Sequence, residues 1–212
     1  MNVRLSWLLG AVLGIGCCVG CDDGGGGGGL SNKNPGANDR NVVVAFGDSL
    51  TQGNMCACTP YPERLAGLIG KVVVNTGVHG SVASLNVDRT QAAIDRFHPA
   101  FMLILYGVGD VIHGFGAGSA MDALAEMVQI CRDNHVVPVL ATYPEPIAGY
   151  VGFAAQTRLL NERIRTYCGE QDVPCVDLEK EFQADPTLYE SEGLHPNDAG
   201  TQIMALAFAD LF

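Results

Sequence analysis

The chain has 212 residues, a length that allows one domain with a large core plus an extension. Hydrophobic residues make up 48 % of it and charged residues 17 %, so we expect a compact folded body rather than disorder. The formal net charge of −11 at pH 7 argues against a nucleic-acid partner, which calls for a basic patch. The sequence has no Gly-rich phosphate loop and no His/Cys cluster with zinc-site spacing. We therefore expect neither a cofactor nor a metal.

The first 21 residues predict a targeting segment. Arg4 is its only charged residue, and residues 5–20 are apolar or small. This stretch is short for a membrane span and is typical of a secretory leader. The cysteines at its end, Cys17, Cys18 and Cys21, resemble those of a bacterial lipoprotein signal, in which the first mature residue is a lipidated cysteine.

Cys21 is the preferred lipidation site, because two aspartates and six glycines follow it directly. Cys17 and Cys18 remain alternatives, and so does an ordinary secretory leader. Residues 22–40 predict a flexible glycine-rich tether, and residues 41–212 predict the folded domain. We expect an exported protein that is either held at the cell-envelope membrane by a lipid anchor or secreted.

The folded region alternates apolar, β-branched runs with amphipathic segments. The first run, 42–46, reads Val-Val-Val-Ala-Phe and predicts a strand buried on both faces of a parallel sheet. The next predicted elements are helix 61–69, strand 72–75, helix 84–98, strand 101–106, a helix capped by Ser119, strand 136–141, helix 153–168, strand 175–178, and helix 198–210 capped by Asn197. The segments 51–60, 107–118 and 142–152, and the polar stretch before His195, predict loops.

This alternation predicts the α/β class, as three layers in which helices cover both faces of a five-stranded parallel sheet. We expect the strand order 2-1-3-4-5, as in flavodoxin. All loops that follow a strand then open at one edge of the sheet, where such sheets bind ligands. Ser49, Gly80, Gly109 and His195 all fall in those loops.

A serine ends the first predicted strand, where residues 47–50 read Gly-Asp-Ser-Leu. Ser49 is either a turn or helix-capping residue or a nucleophile, and a nucleophilic serine needs a base. The candidate base lies far along the chain, where residues 192–196 read Glu-Gly-Leu-His-Pro. An acid three residues before a histidine favours the catalytic interpretation, with Ser49 as nucleophile, His195 as base and Glu192 as the orienting acid.

These two runs resemble the first and last sequence blocks of the SGNH hydrolases, also called the GDSL lipase/esterase family. The resemblance covers residues 42–212. It implies a flavodoxin-like hydrolase fold and the cleavage of acyl esters through an acyl-enzyme intermediate. It also implies a small-molecule ester as the partner and no cofactor. We expect a monomer.

Glu192 departs from the family pattern, which has aspartate at this position. Glutamate is chemically able, because other hydrolase triads use either acid. It is one methylene longer, and a misplacement of about 1 Å can cost on the order of a hundredfold in rate. Asp185, Glu190 and Asp198 are the alternative acids.

The resemblance also implies the oxyanion hole. Family members use the backbone N–H of the nucleophile, the N–H of a second-block glycine and an asparagine side chain. The first two positions are Ser49 and Gly80, but Gly109 stands where the asparagine belongs. Losing one oxyanion donor typically costs about 2.7–4 kcal/mol. Asn54, His113 or a water is a candidate replacement, and we expect Gly109→Asn to raise turnover.

The other chemically notable residues predict structural roles. Asp48 and Asp110 border the catalytic blocks, and we expect their carboxylates to hold the loops in place rather than to take part in catalysis. Of the later cysteines, Cys168 and Cys175 are the preferred disulfide pair, and Cys131 predicts a helix core position. The remaining cysteines, Cys56 and Cys58, pair with each other or with nothing.

Three functions compete. The first is a serine hydrolase acting on short acyl esters, lipid esters, thioesters or acetylated sugars. The second is a surface-binding protein that kept the fold and lost full activity. The departures from the family pattern at Gly109 and Glu192 favour this alternative. The third, a flavodoxin-like electron carrier, has no flavin-phosphate loop in its favour. The aromatic candidates for a pocket wall, which core packing explains equally well, are Tyr61, Phe115, Tyr143, Tyr150 and Phe153.

Overall fold

The structure is a computed structural model and describes residues 29–30 and 33–212. The predicted signal segment and its three cysteines lie outside the described residues. No helix within the described residues is long and apolar enough to cross a membrane.

The core of the fold is a parallel sheet of five strands in the order β2-β1-β3-β4-β5. This confirms the predicted sheet and strand order. The central strands are wholly apolar where they are buried, because helices cover both of their faces. The strands are β1 (Asp39–Gly47), β2 (Val72–Asn75), β3 (Pro99–Leu105), β4 (Val137–Ala141) and β5 (Cys175–Val176).

Helices form a layer on each face of the sheet. The helices are α1 (Ser49–Gln52), α2 (Tyr61–Ile69), α3 (Asp88–Phe97), α4 (Val108–Ile112), α5 (Gly116–Asp133), α6 (Ala154–Gln171), α7 (Leu178–Phe182) and α8 (Asp198–Ala209). On one face α2 and α7 pack against α8, and on the other α3 and α6 pack against α5. Asn197 caps α8 as predicted, since its side chain accepts a hydrogen bond from the N–H of Gly200.

Two of the predicted loops contain helices. The segment predicted as loop 107–118 holds α4 and the start of α5, so Ser119 lies inside α5 and is not its cap. The turn between these helices uses Gly114 and Gly116, whose φ angles are +82° and +83°. Glycine tolerates such angles, and a glycine-rich stretch is therefore easily taken for a loop. The polar stretch after β5 contains α7, whose cap is Asp177.

The folded domain begins before the predicted boundary at residue 41. The Leu30 side chain is 1 % exposed in the core, and its N–H donates to the carbonyl of Leu211 over 2.9 Å. The Asn38 side chain donates to the carbonyl of Asn134 over 2.9 Å. These contacts hold part of the segment predicted as tether 22–40 against the domain.

The cysteine pairing differs from the preferred prediction. Cys168 and Cys175 are free thiols, and the disulfide among the described residues joins Cys56 to Cys58. The two thiols are hydrogen-bonded to each other, and this hydrogen bond together with burial raises the pKa of Cys168 above its ordinary value. Cys131 is a buried core residue of α5, as predicted.

Candidate active site

Ser49 lies directly beyond the carboxyl end of β1, as the first residue of α1. The backbone that leads to Ser49 packs closely against β3, because a Cβ on Gly47 would come within 2.1 Å of the Leu105 carbonyl oxygen. Asp48 caps α1, accepting a hydrogen bond from the N–H of Leu50 over 3.0 Å. The turn therefore presents Ser49, which is 8 % exposed, at the sheet edge where the loops after the strands meet.

Asp48 is fixed from two sides. The Tyr143 hydroxyl donates to its second carboxylate oxygen over 2.7 Å. Burial raises the pKa of Asp48 to about 6, although the hydrogen bonds from Tyr143 and Leu50 act in the opposite direction. Both carboxylate oxygens are occupied in holding the serine turn, which is the loop-fixing geometry expected for this residue.

His195 meets Ser49 across 146 residues of sequence. Its Nε2 lies 3.0 Å from Ser49 Oγ, and its Nδ1 is hydrogen-bonded to a carboxylate oxygen of Glu192. His195 is 6 % exposed. Because the carboxylate accepts, Nδ1 carries the proton and Nε2 presents its lone pair to the serine hydroxyl.

The longer side chain of Glu192 is accommodated by the backbone that follows it. The carboxylate also accepts the N–H groups of Leu194, over 2.9 Å, and His195, over 3.0 Å. This fold-back requires Gly193 at φ +87°, where a Cβ would lie 2.3 Å from the Ile147 carbonyl oxygen. Burial raises the pKa of Glu192, but these hydrogen bonds and His195 outweigh it and the net shift is downward. Glu192 is therefore held as a carboxylate.

The alternative acids are engaged elsewhere. Asp185 caps the short turn Pro186–Leu188 by accepting the N–H of Thr187, and Asp198 pairs with Arg64. Glu190 lines a separate surface pocket with Asp198. Glu192 is the acid in contact with the His195 ring.

A small pocket opens over the serine, with a cavity volume of about 270 Å³. The backbone N–H groups of Ser49 and Gly80 have no hydrogen-bond acceptor within the described part of the chain. Both residues line the pocket, which suits an oxyanion there. The other lining residues are Asp48, His79, Ser81, Val108, Gly109, Ile112, His113, Tyr150, Leu194 and His195.

Gly109 lies at the pocket but has no room for a side chain. A Cβ there would come within 2.6 Å of the Ser81 carbonyl oxygen. The backbone at Ser81 thus occupies the space where a side chain at position 109 would begin. This contact removes the basis for expecting that Gly109→Asn raises turnover.

Of the two side chains considered as replacement donors, His113 lines the pocket and Asn54 does not. His113 Nδ1 lies 2.8 Å from the Gly109 carbonyl oxygen, which can only accept. In the tautomer that donates from Nδ1, Nε2 is an acceptor and offers no proton to an oxyanion.

Asp110 fixes the second loop of the pocket. Its two carboxylate oxygens accept the N–H groups of Ala83, over 2.8 Å, and Ser84, over 3.0 Å.

Of the aromatic candidates, Tyr150 lines the pocket, whereas Tyr61 is buried and stacks on Phe208. Sequence reasoning missed Ser81, because no linear pattern marks a residue whose position depends on a distant glycine.

The model of the GDSL-like lipase/acylhydrolase family matches residues 45–203, which is most of the chain. The chain belongs to this family. The match runs from the end of β1 into α8 and so includes both the serine turn and His195. No curated protein sequence matches the chain.

Solved structures of GDSL-family proteins and esterases share the fold. A protein assigned to the G-D-S-L lipolytic family from Desulfitobacterium hafniense aligns with a TM-score of 0.73 at 23 % identity, covering 82 % of this chain and all of that one. A GDSL-like lipase from Bacteroides thetaiotaomicron has a TM-score of 0.68 at 20 % identity, covering 79 % and 85 %. A catalytic mutant of an acetylxylan esterase from Geobacillus stearothermophilus has a TM-score of 0.68 at 19 % identity, covering 81 % and 93 %. At these identities the likeness concerns the fold alone.

Proposed function

We propose that this GDSL-family chain is a serine ester hydrolase with Ser49 as nucleophile, His195 as general base and Glu192 as the acid that orients it. One observation carries the proposal. A single imidazole contacts the serine hydroxyl through Nε2, over 3.0 Å, and a carboxylate through Nδ1. Nucleophile, base and orienting group are thus in hydrogen-bonding reach of one another, as acyl transfer requires.

The reaction follows from this geometry. His195 Nε2 takes the Ser49 proton as Oγ attacks the ester carbonyl, and Glu192 stabilises the imidazolium that forms. The carbonyl oxygen becomes an oxyanion facing the N–H groups of Ser49 and Gly80. His195 then returns the proton to the leaving alcohol, which leaves an acyl group on Ser49. Water activated by the same base hydrolyses that ester.

The pocket favours a short acyl group. Its volume of about 270 Å³ is below the range of roughly 300–1,000 Å³ that is usual for drug-sized ligands. The apolar lining, Val108, Ile112 and Leu194, suits a small acyl chain. The acetylxylan esterase with a similar fold is named for an acetyl ester, which carries a short acyl group. We propose acetyl and other short acyl esters as the substrate class.

The lipid anchor remains part of the proposal. The described chain first packs on the domain at Leu30, beside Leu211, and then forms β1, beyond whose carboxyl end the site lies. We propose a lipid anchor at Cys21, which precedes this entry point in the sequence. Replacement of Cys21 with Ala should move the protein from the membrane fraction to the soluble fraction. An unchanged distribution would contradict the anchor and leave the enzyme proposal untouched.

The proposal is tested by labelling and by hydrolysis. A fluorophosphonate should modify Ser49 in the full chain and should fail to modify Ser49→Ala. In a panel of p-nitrophenyl esters, kcat/KM should be highest for acetate or propionate and should fall as the acyl chain lengthens. A wild-type protein that neither reacts with the probe nor cleaves any ester would favour the surface-binding alternative.

A further inference from the structure

Gly109 packs closely against the backbone of Ser81. The Ser81 carbonyl oxygen lies 2.6 Å from the point that a Cβ of Gly109 would occupy. Ser81 also lines the pocket together with Ser49 and Gly80. The backbone of Ser81 thus lies against Gly109, in the space that a side chain at position 109 would need, and Ser81 brings a hydroxyl group to the same wall of the pocket.

The Ser81 hydroxyl is held by a buried network. It is hydrogen-bonded to the hydroxyl of Tyr106, which is fully buried at the end of β3. Arg89 Nη1 donates to the same Tyr106 oxygen over 3.1 Å, and Arg89 Nη2 donates to the Thr76 carbonyl over 2.6 Å. The guanidinium lies 5.0 Å from the centre of the Phe46 ring and pairs with no carboxylate among the described residues. It is therefore a fixed positive charge behind the pocket wall.

The chemistry of these groups sets the direction of the hydrogen bonds. A guanidinium can only donate, so the Tyr106 oxygen accepts from Arg89. A phenol is a stronger acid than an alkyl alcohol, and the adjacent cation strengthens its O–H as a donor. On this chemistry Tyr106 is assigned as the donor and Ser81 Oγ as the acceptor of the hydrogen bond between them. The proton of Ser81 is left free to donate to a group in the pocket.

We infer that the Ser81 hydroxyl is the third oxyanion donor of this enzyme and replaces the side chain that is absent at Gly109. Tyr106 and Arg89 act as positioning residues, because they fix Ser81 as a donor without touching the substrate. The inference rests on the proposed ester hydrolysis. It makes Ser81 a catalytic residue, because its proton would contact the oxyanion directly.

The first test removes the hydroxyl. Ser81→Ala should lower kcat for p-nitrophenyl acetate by about 10²–10³-fold with little change in KM, since the donor acts on the oxyanion and not on the bound ester. Its affinity for an alkyl trifluoromethyl ketone, which forms a tetrahedral oxyanion on Ser49, should fall in parallel. Active sites are counted by fluorophosphonate titration, so that a poorly folded fraction does not enter kcat.

The matched control is Ser84→Ala. The Ser84 hydroxyl is buried without a hydrogen-bond partner three residues further on and does not line the pocket. This variant should keep the kcat, KM and ketone affinity of the wild type. A loss at Ser84 equal to that at Ser81 would mean that the loop is merely sensitive to substitution, and the inference would fall.

The second test asks whether Tyr106 acts through Ser81. Tyr106→Phe should lower kcat by less than Ser81→Ala does, because the hydroxyl remains but is no longer directed. In the Ser81→Ala background the same change should have no further effect on kcat, since the group that it positions is gone. Additive losses would overturn the positioning role.

Failure of the Ser81 assignment and failure of the proposed hydrolase give different experimental results. If wild-type chain reacts with fluorophosphonate and Ser49→Ala is inactive, yet Ser81→Ala retains full kcat and ketone affinity, then the enzyme proposal stands and the Ser81 inference is wrong. If wild-type chain shows no reaction at Ser49, the proposed hydrolase itself is wrong.

Discussion

At the scale of single residues, Asp48 fixes the serine turn, but the burial of its carboxylate lowers the stability of the folded protein. Burial raises its pKa from 3.8 to about 6 in the folded protein. Between these values the folded state binds more protons than the unfolded state, so stability falls as pH rises through this window. The shift corresponds to about 3 kcal/mol at neutral pH.

Asp48→Asn should therefore gain stability relative to the wild type as the pH is raised from 4 to 7. The asparagine oxygen can still cap α1, and the amide stays neutral throughout. Urea unfolding at pH 4 and pH 7 measures the free energy of unfolding of both proteins. The advantage of Asp48→Asn over the wild type should grow by up to about 3 kcal/mol between the two pH values. The control is Asp185→Asn: hydrogen bonds from Thr187 lower the pKa of Asp185, so its contribution to stability is lost mainly below pH 4 and its difference from the wild type should stay nearly constant between pH 4 and 7. A difference at Asp48 that does not depend on pH would refute the account.

At the scale of elements, two glycines in helices differ in whether their surroundings leave room for a side chain. Gly109 in α4 meets the Ser81 carbonyl, whereas Gly67 in α2 is exposed with nothing within 4 Å of a Cβ. Gly109→Ala should lower the free energy of unfolding by about 1–3 kcal/mol and lower turnover, because the loop must move. Gly67→Ala should raise it by about 0.5–1 kcal/mol without affecting turnover. Thermal unfolding and ester hydrolysis check both, and a stabilised Gly109→Ala would show that the contact is absent.

The elements also show what sequence can and cannot reveal. The parallel sheet and the meeting of Ser49 with His195 could be predicted from the sequence, because buried β-branched runs alternate with helices and parallel strands end at one edge, whereas the prediction of the strand order rests on analogy with flavodoxin. The helix α4 does not, since its flanking glycines suit a loop equally well. The position of Ser81 depends on a contact with Gly109 that forms only in three dimensions. The fit of Glu192 likewise depends on the left-handed turn at Gly193.

At the scale of the whole molecule, the two edges of the sheet have separate tasks. The edge beyond the carboxyl ends of the strands holds the serine, the histidine and the pocket. The opposite edge holds the entering chain, where His98 and His135 end helices just before β3 and β4, away from the pocket. Changes at the entering edge should therefore affect stability far more than catalysis.

Leu30 provides the test of this separation. It is buried in the core although it belongs to the segment predicted as a tether. Leu30→Ala should cost about 2–5 kcal/mol in urea unfolding, because it leaves a cavity and removes buried apolar surface. Its kcat for p-nitrophenyl acetate should match the wild type at temperatures where both are folded. The matched control is Leu206→Ala in α8, whose side chain is 44 % exposed and should cost much less. Equal losses at the two leucines would place Leu30 outside the core, and a lower kcat in folded Leu30→Ala would mean that the two edges are coupled through the sheet.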